Sequence, residues 1–199
     1  MANNISDRAV IGPDVKIGDH VTIGPFVYIS GDVVIGDHVT IYSNVSMEGK
    51  IVIGNHCKLY PNVSIMSGTR LGNDNLVCQN TVLGAIPQDF SFRGEETELI
   101  IGNQNIIREN IVINRASHTG GKTIIGNNNF LMEGTHVSHD TKVGDNCVFG
   151  YGTKIAGSCE IADRVIFSSS VIENENTRVG KVAMVQAGTT FSKDVPPYI

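Results

Sequence analysis

Large apolar residues recur at every sixth position along most of this chain. The series runs Ile5, Ile11, Ile17, Ile23, Ile29, Ile35, Ile41, Met47, Ile53, Leu59, Ile65, Leu71, Val77 and Leu83. It resumes at Ile101, Ile107 and Ile113, runs again from Ile125 to Phe167, and returns at Val179, Val185 and Phe191. Asp89, Glu95, Thr119 and Glu173 interrupt it. A helix would repeat its apolar face every 3.6 residues, so this period is not helical. It fits a short strand and a tight turn, repeated. A small or β-branched residue often follows four positions later, as at Val15, Val39, Cys57, Thr135, Cys147 and Cys159. The shared parity lets both residues face the same side of a strand. Glycine, Asn and Asp between the strands tolerate the positive φ of sharp corners.

A longer beat lies on top. IGDHVTI at 17–23 returns at 35–41, and IGNHCKL follows at 53–59. The same step links IGNNNFL at 125, VGDNCVF at 143, IADRVIF at 161 and VGKVAMV at 179. Each step is three hexads, which predicts a triangular coil of three strands. Coils stack at the inter-strand spacing of about 4.8 Å. The predicted fold is therefore an all-β parallel β-helix, one solenoid domain over residues 1–199 with a continuous core. The beat fails at 84–100, which predicts a long loop, and at 115–122, which predicts a shorter excursion. Long loops on a rigid solenoid usually carry function. At the end of the sequence, Asp194-Val195-Pro196-Pro197-Tyr198-Ile199 is expected to stop strand pairing, because proline cannot donate to a ladder.

Composition narrows the function. The formal net charge of -5 excludes the basic footprint of a nucleic-acid binder. No apolar run approaches the roughly 18 residues of a membrane span. The N-terminal residues have no apolar leader core, so a cytoplasmic location is expected. None of the four cysteines forms a CxxC pair. Cys57, Cys147 and Cys159 fall at the small inward position and read as packing residues.

The densest chemistry lies in Thr135-His136-Val137-Ser138-His139-Asp140. The repeat places Gly157 one coil beyond His139, Ser158 beyond Asp140, and Lys154 beyond His136. Asn174 lies two coils beyond Ser138, near the same corner. A histidine can act as general base near neutral pH, and an adjacent carboxylate can hold its tautomer. A backbone amide at Gly157 could stabilise an oxyanion. Together these groups suit acyl transfer from a thioester to a hydroxyl or amine. His20, His38 and His56 are evenly spaced and read as a solvated corner column. His118, His136 and His139 supply the residue types of a zinc triad like that of γ-type carbonic anhydrases, but the His-x4-His spacing expected there is absent. No metal or permanent cofactor is expected.

Several motifs are more selective than hexads. They are Ile86-Pro87-Gln88-Asp89-Phe90 with Arg93-Gly94-Glu95, then Asn105-Ile106-Ile107-Arg108-Glu109. Asn128-Asn129-Phe130-Leu131-Met132 leads into the His136–Asp140 stretch, and Asp194-Val195-Pro196-Pro197-Tyr198 closes the set. With these motifs, nearly the whole chain resembles the hexapeptide-repeat acyltransferases of the left-handed β-helix fold. Within them it is most similar to the UDP-N-acetylglucosamine O-acyltransferases of lipid A biosynthesis.

The resemblance implies a left-handed coil and a homotrimer with sites between subunits. It also implies a sugar or nucleotide-sugar acceptor, with acyl carrier protein or coenzyme A as thioester donor. It maps the general base to His139, its orienting partner to Asp140 and the oxyanion donor to Gly157. Sugar or phosphate contacts fall on His136 and Asp89, beside Gln88. Departures are Ser91 for a lysine, Ser158 for a histidine, and Asn174-Glu175 for a histidine-glutamine pair. The family also continues past Pro-Pro-Tyr into a helical domain with uridine and carrier-protein contacts. That departure leaves two rival readings: an acyl-CoA-dependent N-acyltransferase of an amino sugar outside lipid A, or a non-catalytic scaffold.

Overall fold

In the computed structural model, which describes residues 2–199, every regular element is a short strand. The strands stack into three parallel sheets of 10, 10 and 9 strands. Consecutive strands fall on different sheets, so each coil visits all three faces of a prism. The first face carries Thr22, Thr40, Lys58, Leu76 and Ile106 in register. The second carries Val112, His136, Lys154 and Ile172. The third carries Val52, Arg70, Ile100, Ile124 and Lys142.

The sixth-position residues fill the prism. Ile23, Ile41, Leu59, Val77, Ile107, Leu131 and Phe149 are buried in one continuous core. The small residues four positions on are buried too, including Cys57, Cys147 and Cys159. Burial pushes each of these three thiols up to about 11, and Cys78 is raised by the same cause. They are packing groups, not nucleophiles. Of the four interruptions in the series, Asp89, Glu95 and Thr119 sit in the excursions. Glu173 does not. It keeps the inward position between Ile155 and Phe191 and is fully buried.

The corners are built from polar side chains that point along the stack. The carboxylate of Asp37 accepts from the Asp19 amide, and Asn55 and Asn73 repeat the bond coil after coil. A buried ladder runs Asn75, Asn105, Asn129, each side chain bonded to the next coil's backbone. Such ladders satisfy corner amides that no strand can reach. His20, His38 and His56 form the corner column expected, all at positive φ, with rings stacked 4.6 and 4.9 Å apart.

Two boundaries differ from the sequence reading. The long loop is confined to residues 86–97, because Val82–Ala85 and Glu98–Ile101 pair with the neighbouring coils. The short excursion covers 115–121, since Lys122 already pairs with Glu98. The last strand is Thr190–Phe191, so regular pairing stops at the prolines and single contacts take its place. Val195 bridges Val179, Asp194 caps the Arg178 amide, and the Ile199 carbonyl accepts from Met184. The residues around the prolines supply the donors and acceptors that the prolines lack.

Candidate active site

His139 and Asp140 form a corner between the second and third faces. Asp140 takes a left-handed φ of 62°, as Ser158 and Asn176 do at the same corner of the next two coils. Asp, Ser and Asn accept this conformation because short polar side chains bond locally. The Asp140 amide donates to the Thr123 hydroxyl at 2.9 Å. The Ser158 amide donates to the His139 carbonyl at 3.0 Å, and Asn176 does the same to Gly157. Backbone stacking therefore sets His139 over Gly157.

The two excursions leave the prism at this same corner, in the two coils before His139. Each connects a second-face strand to a third-face strand. They make one wall beside the pair. Asn114 anchors the long loop by donating to the Ile86 carbonyl at 2.8 Å. Arg115 donates to the Ser67 carbonyl at 3.0 Å and lies over the Phe92 ring. Within the loop, Arg93 donates to the Phe90 and Phe92 carbonyls while Glu95 caps the Arg93 amide. The Arg93-Gly94-Glu95 motif thus folds the loop on itself and brings Asp89 back towards the corner.

The Asp140 carboxylate is the hub. Its Oδ2 accepts from His139 Nδ1 at 2.8 Å and from the Ser117 hydroxyl at 2.8 Å. The Ser117 amide reaches the same oxygen at 3.1 Å. His118 Nδ1 lies 3.0 Å from Oδ1. An acceptor-only carboxylate at Nδ1 leaves Nε2 of His139 as the basic nitrogen.

The His139 ring faces Gly157. A β-carbon on Gly157 would fall 2.7 Å from Cε1 and 2.9 Å from Nε2. Among the described residues no backbone carbonyl accepts the Gly157 N–H. His136 lies beside this pair with Nε2 bonded to the Ser138 hydroxyl at 2.9 Å. Burial first, then Lys154 and His139, lowers its basicity, which favours the neutral ring. Lys154 itself bonds the Gly134 carbonyl.

Asp89 joins from the loop. The Ser91 amide and hydroxyl bind its Oδ1 at 2.8 and 2.7 Å and hold the carboxyl below its ordinary range, with Ser117 and His139 adding to the effect. The serine that replaces the family's lysine thus fixes the aspartate directly. Gln88, Ser158 and Asn174 are exposed near the corner, and among the described residues their side chains hold no hydrogen bond. The structure therefore brings His136, His139, Asp140, Gly157 and Asp89 together and leaves Gln88, Ser158 and Asn174 on the rim. Among the described residues no group of three His, Cys, Asp or Glu side chains is arranged to hold a metal ion.

Two features escaped the sequence reading. One is the pairing of Ser117 and His118 with Asp140. The other is an outward apolar ladder on the first face: Leu76, Ile106, Phe130, Val148, Ile166 and Met184 stack in register. Ile106, Ile166 and Met184 remain 43%, 41% and 57% exposed. The ladder lies one position before the inward series, so the signal was in the sequence at the adjacent register. A hollow of about 410 Å³ at the foot of the long loop is lined by Lys50, Arg70, Glu98 and Arg115 and does not include His139.

Comparison with known proteins agrees with this picture. A family model described as bacterial transferase hexapeptide (six repeats) matches residues 3–31, 14–49, 50–85 and 122–157. An acyl-[acyl-carrier-protein]–UDP-N-acetylglucosamine O-acyltransferase from Anaeromyxobacter is 30% identical over 131 residues, 65% of this chain and 51% of the relative. A protein of the same name from Chlorobaculum parvum is 42% identical over 121 residues, 61% of this chain and 39% of the relative. A solved UDP-N-acetylglucosamine acyltransferase from Bacteroides fragilis is 46% identical, with a TM-score of 0.79 over 98% of this chain and 69% of that one. The Arabidopsis enzyme is 31% identical with a TM-score of 0.94 and the same coverage. The chain spans about half the length, or less, of these curated relatives.

Proposed function

The chain belongs to the bacterial hexapeptide-repeat transferases, in the group of UDP-N-acetylglucosamine acyltransferases, and on that premise we propose that it transfers an acyl group from a thioester to a hydroxyl or amine of an amino sugar carried on UDP. The observation that carries the proposal is the bonded pair His139–Asp140 set over the Gly157 backbone. His139 Nε2 takes the proton of the acceptor as its oxygen or nitrogen attacks the thioester carbonyl. The oxygen of the tetrahedral intermediate becomes negative and receives the Gly157 N–H. Collapse breaks the carbon–sulfur bond, and the imidazolium returns the proton to the departing thiolate. Asp140 holds the imidazole and steadies its charge. Asp89 and neutral His136 bond the sugar, with Gln88, Ser158 and Asn174 at the rim.

The working unit in this proposal is a homotrimer. The outward ladder from Leu76 to Met184 would be unusual on a free solvent face, where contiguous apolar patches mark contact sites. The relatives' names specify acyl carrier protein as donor, and coenzyme A supplies the same thioester chemistry.

The test is a matrix of acyl-carrier-protein and acyl-CoA donors against UDP-N-acetylglucosamine and free amino sugars. Turnover is expected with a UDP-linked acceptor. The His139→Ala variant should keep its oligomeric state and lose turnover by roughly a thousandfold, the middle of the range for removing a general base. Near-normal turnover in that variant would remove His139 from its role.

A further inference from the structure

We propose that His118 is a positioning residue for the reaction. Acting through Asp140, it fixes His139 in the tautomer that leaves Nε2 free. The inference rests on the reading of His139 as general base and adds a residue outside the motif that suggested it.

Asp140 is an acceptor with about four lone-pair directions. Oδ2 is held by His139 Nδ1 and by the Ser117 hydroxyl and amide. Oδ1 has only a long contact of 3.4 Å from the Ser117 amide besides His118 Nδ1 at 3.0 Å. Rotation about the last bond of an aspartate is soft and nearly two-fold. A close contact on each oxygen resists that rotation. With His118 in place, Oδ2 stays directed at His139 Nδ1. Without it, the carboxylate can swing, and His139 can exchange tautomers and lose its aim.

His118 is itself held. The Gly121 amide donates to the His118 carbonyl at 2.7 Å, closing a tight turn with Gly120 at a φ of 71°. A β-carbon on Gly121 would sit 3.1 Å from His118 Nε2. The same β-carbon would fall 2.7 Å from the His118 carbonyl, so the tight turn itself requires glycine here, and the ring lies close against that turn. The excursion thus delivers Ser117 and His118 as one clamp on the carboxylate. Stability is a poor explanation for this contact. The His118 side chain is 73% exposed, and exposed ion pairs contribute little to folding. What the contact determines is the orientation of a carboxylate that is only 9% exposed.

Steady-state kinetics and imidazole ¹⁵N NMR test the proposal together. His118→Ala should lower kcat by roughly tenfold to a hundredfold with the acceptor KM little changed, as expected when a reacting group loses its aim. His118→Asn places an amide N–H near the position of Nδ1–H and should restore most of that loss. His118→Gln reaches instead towards the Nε2 position and should not. In an Asp140→Ala background, His118→Ala should add no further loss, since the two residues act as one unit. In the NMR spectra, His139 should be an Nδ1–H tautomer in the native protein and a mixture in His118→Ala. Native kcat in His118→Ala, or an unchanged His139 signal, overturns the proposal. Failure of the base reading shows separately, as full turnover of His139→Ala. The NMR measurement needs no turnover and decides the role of His118 in either case.

Discussion

The imidazole of His139 faces the α-carbon of Gly157, one coil further along, and a methyl group there would fall 2.7 Å from its Cε1. That spacing is closer than real carbon contacts allow, so ring and side chain cannot share the space. Gly157 is buried and its φ is not left-handed, so backbone conformation alone does not demand glycine there. Only the ring does. Gly157→Ala should therefore displace the imidazole and lower kcat by about a hundredfold, while the melting temperature stays within a few degrees of native. A variant that melts early would mean that the corner, not the ring, requires glycine. Native kcat would mean that the ring is free to move.

Asp89 is held by a residue two positions away. Both the amide and the hydroxyl of Ser91 bind its Oδ1. Removing the hydroxyl in Ser91→Ala leaves the amide and loosens the side chain. If Asp89 bonds the acceptor in ground state and transition state alike, the acceptor KM should rise severalfold while kcat holds. An equal fall in kcat with KM unchanged would instead place Asp89 in the chemical step.

The fold was legible because parity and period act on every coil alike. Val137 shows how. It holds an inward position of the series and is buried, so its neighbours His136 and Ser138 are turned away from the core. The same register sets Gly157 beside His139 from spacing alone. The excursions obey no such rule. The path of residues 115–121 is set by a local turn at Gly120 and Gly121 and by Asp140, so its two donors could not be assigned from spacing. Glu173 stood out as a break in the series, yet spacing alone could not decide whether it was expelled like Asp89 or buried. The outward ladder was hidden for another reason. It shares the period of the inward series and lies one residue earlier, so the stronger register masks it.

That ladder yields a prediction about assembly. Ile166 stacks between Val148 and Met184 on the first face. A charged side chain there would remain solvated in a single chain and would be forced out of water in a trimer. Ile166→Glu should leave the β-rich circular dichroism spectrum intact and shift the mass measured by light scattering from trimer to monomer, with loss of turnover. A trimer that persists in Ile166→Glu and in Ile166→Glu/Met184→Glu would place the interface on another face.

Glu173 makes stability depend on pH. Burial, the dominant cause, pushes its carboxyl up to about 7, against an ordinary 4.5, and Asp194 adds to the rise. The Thr177 hydroxyl at 2.8 Å offsets this in part, while Oε2 has no partner. In the folded chain the group therefore holds its proton to near neutral pH, whereas the unfolded chain releases it above about 4.5. Between those values the folded state binds more protons, so stability falls as pH rises. The loss is absent below about 4.5, grows up to about 7, and is complete above it. Its size is about 3 kcal/mol by linkage. Glu173→Gln keeps the shape and a polar group for Thr177 but cannot ionise. Denaturant midpoints should show the variant more stable than native at about pH 8 and nearly equal to it at about pH 4.5. Parallel curves for the two proteins across that range would mean that the carboxyl titrates alike in the folded and unfolded chain, and that burial does not raise it.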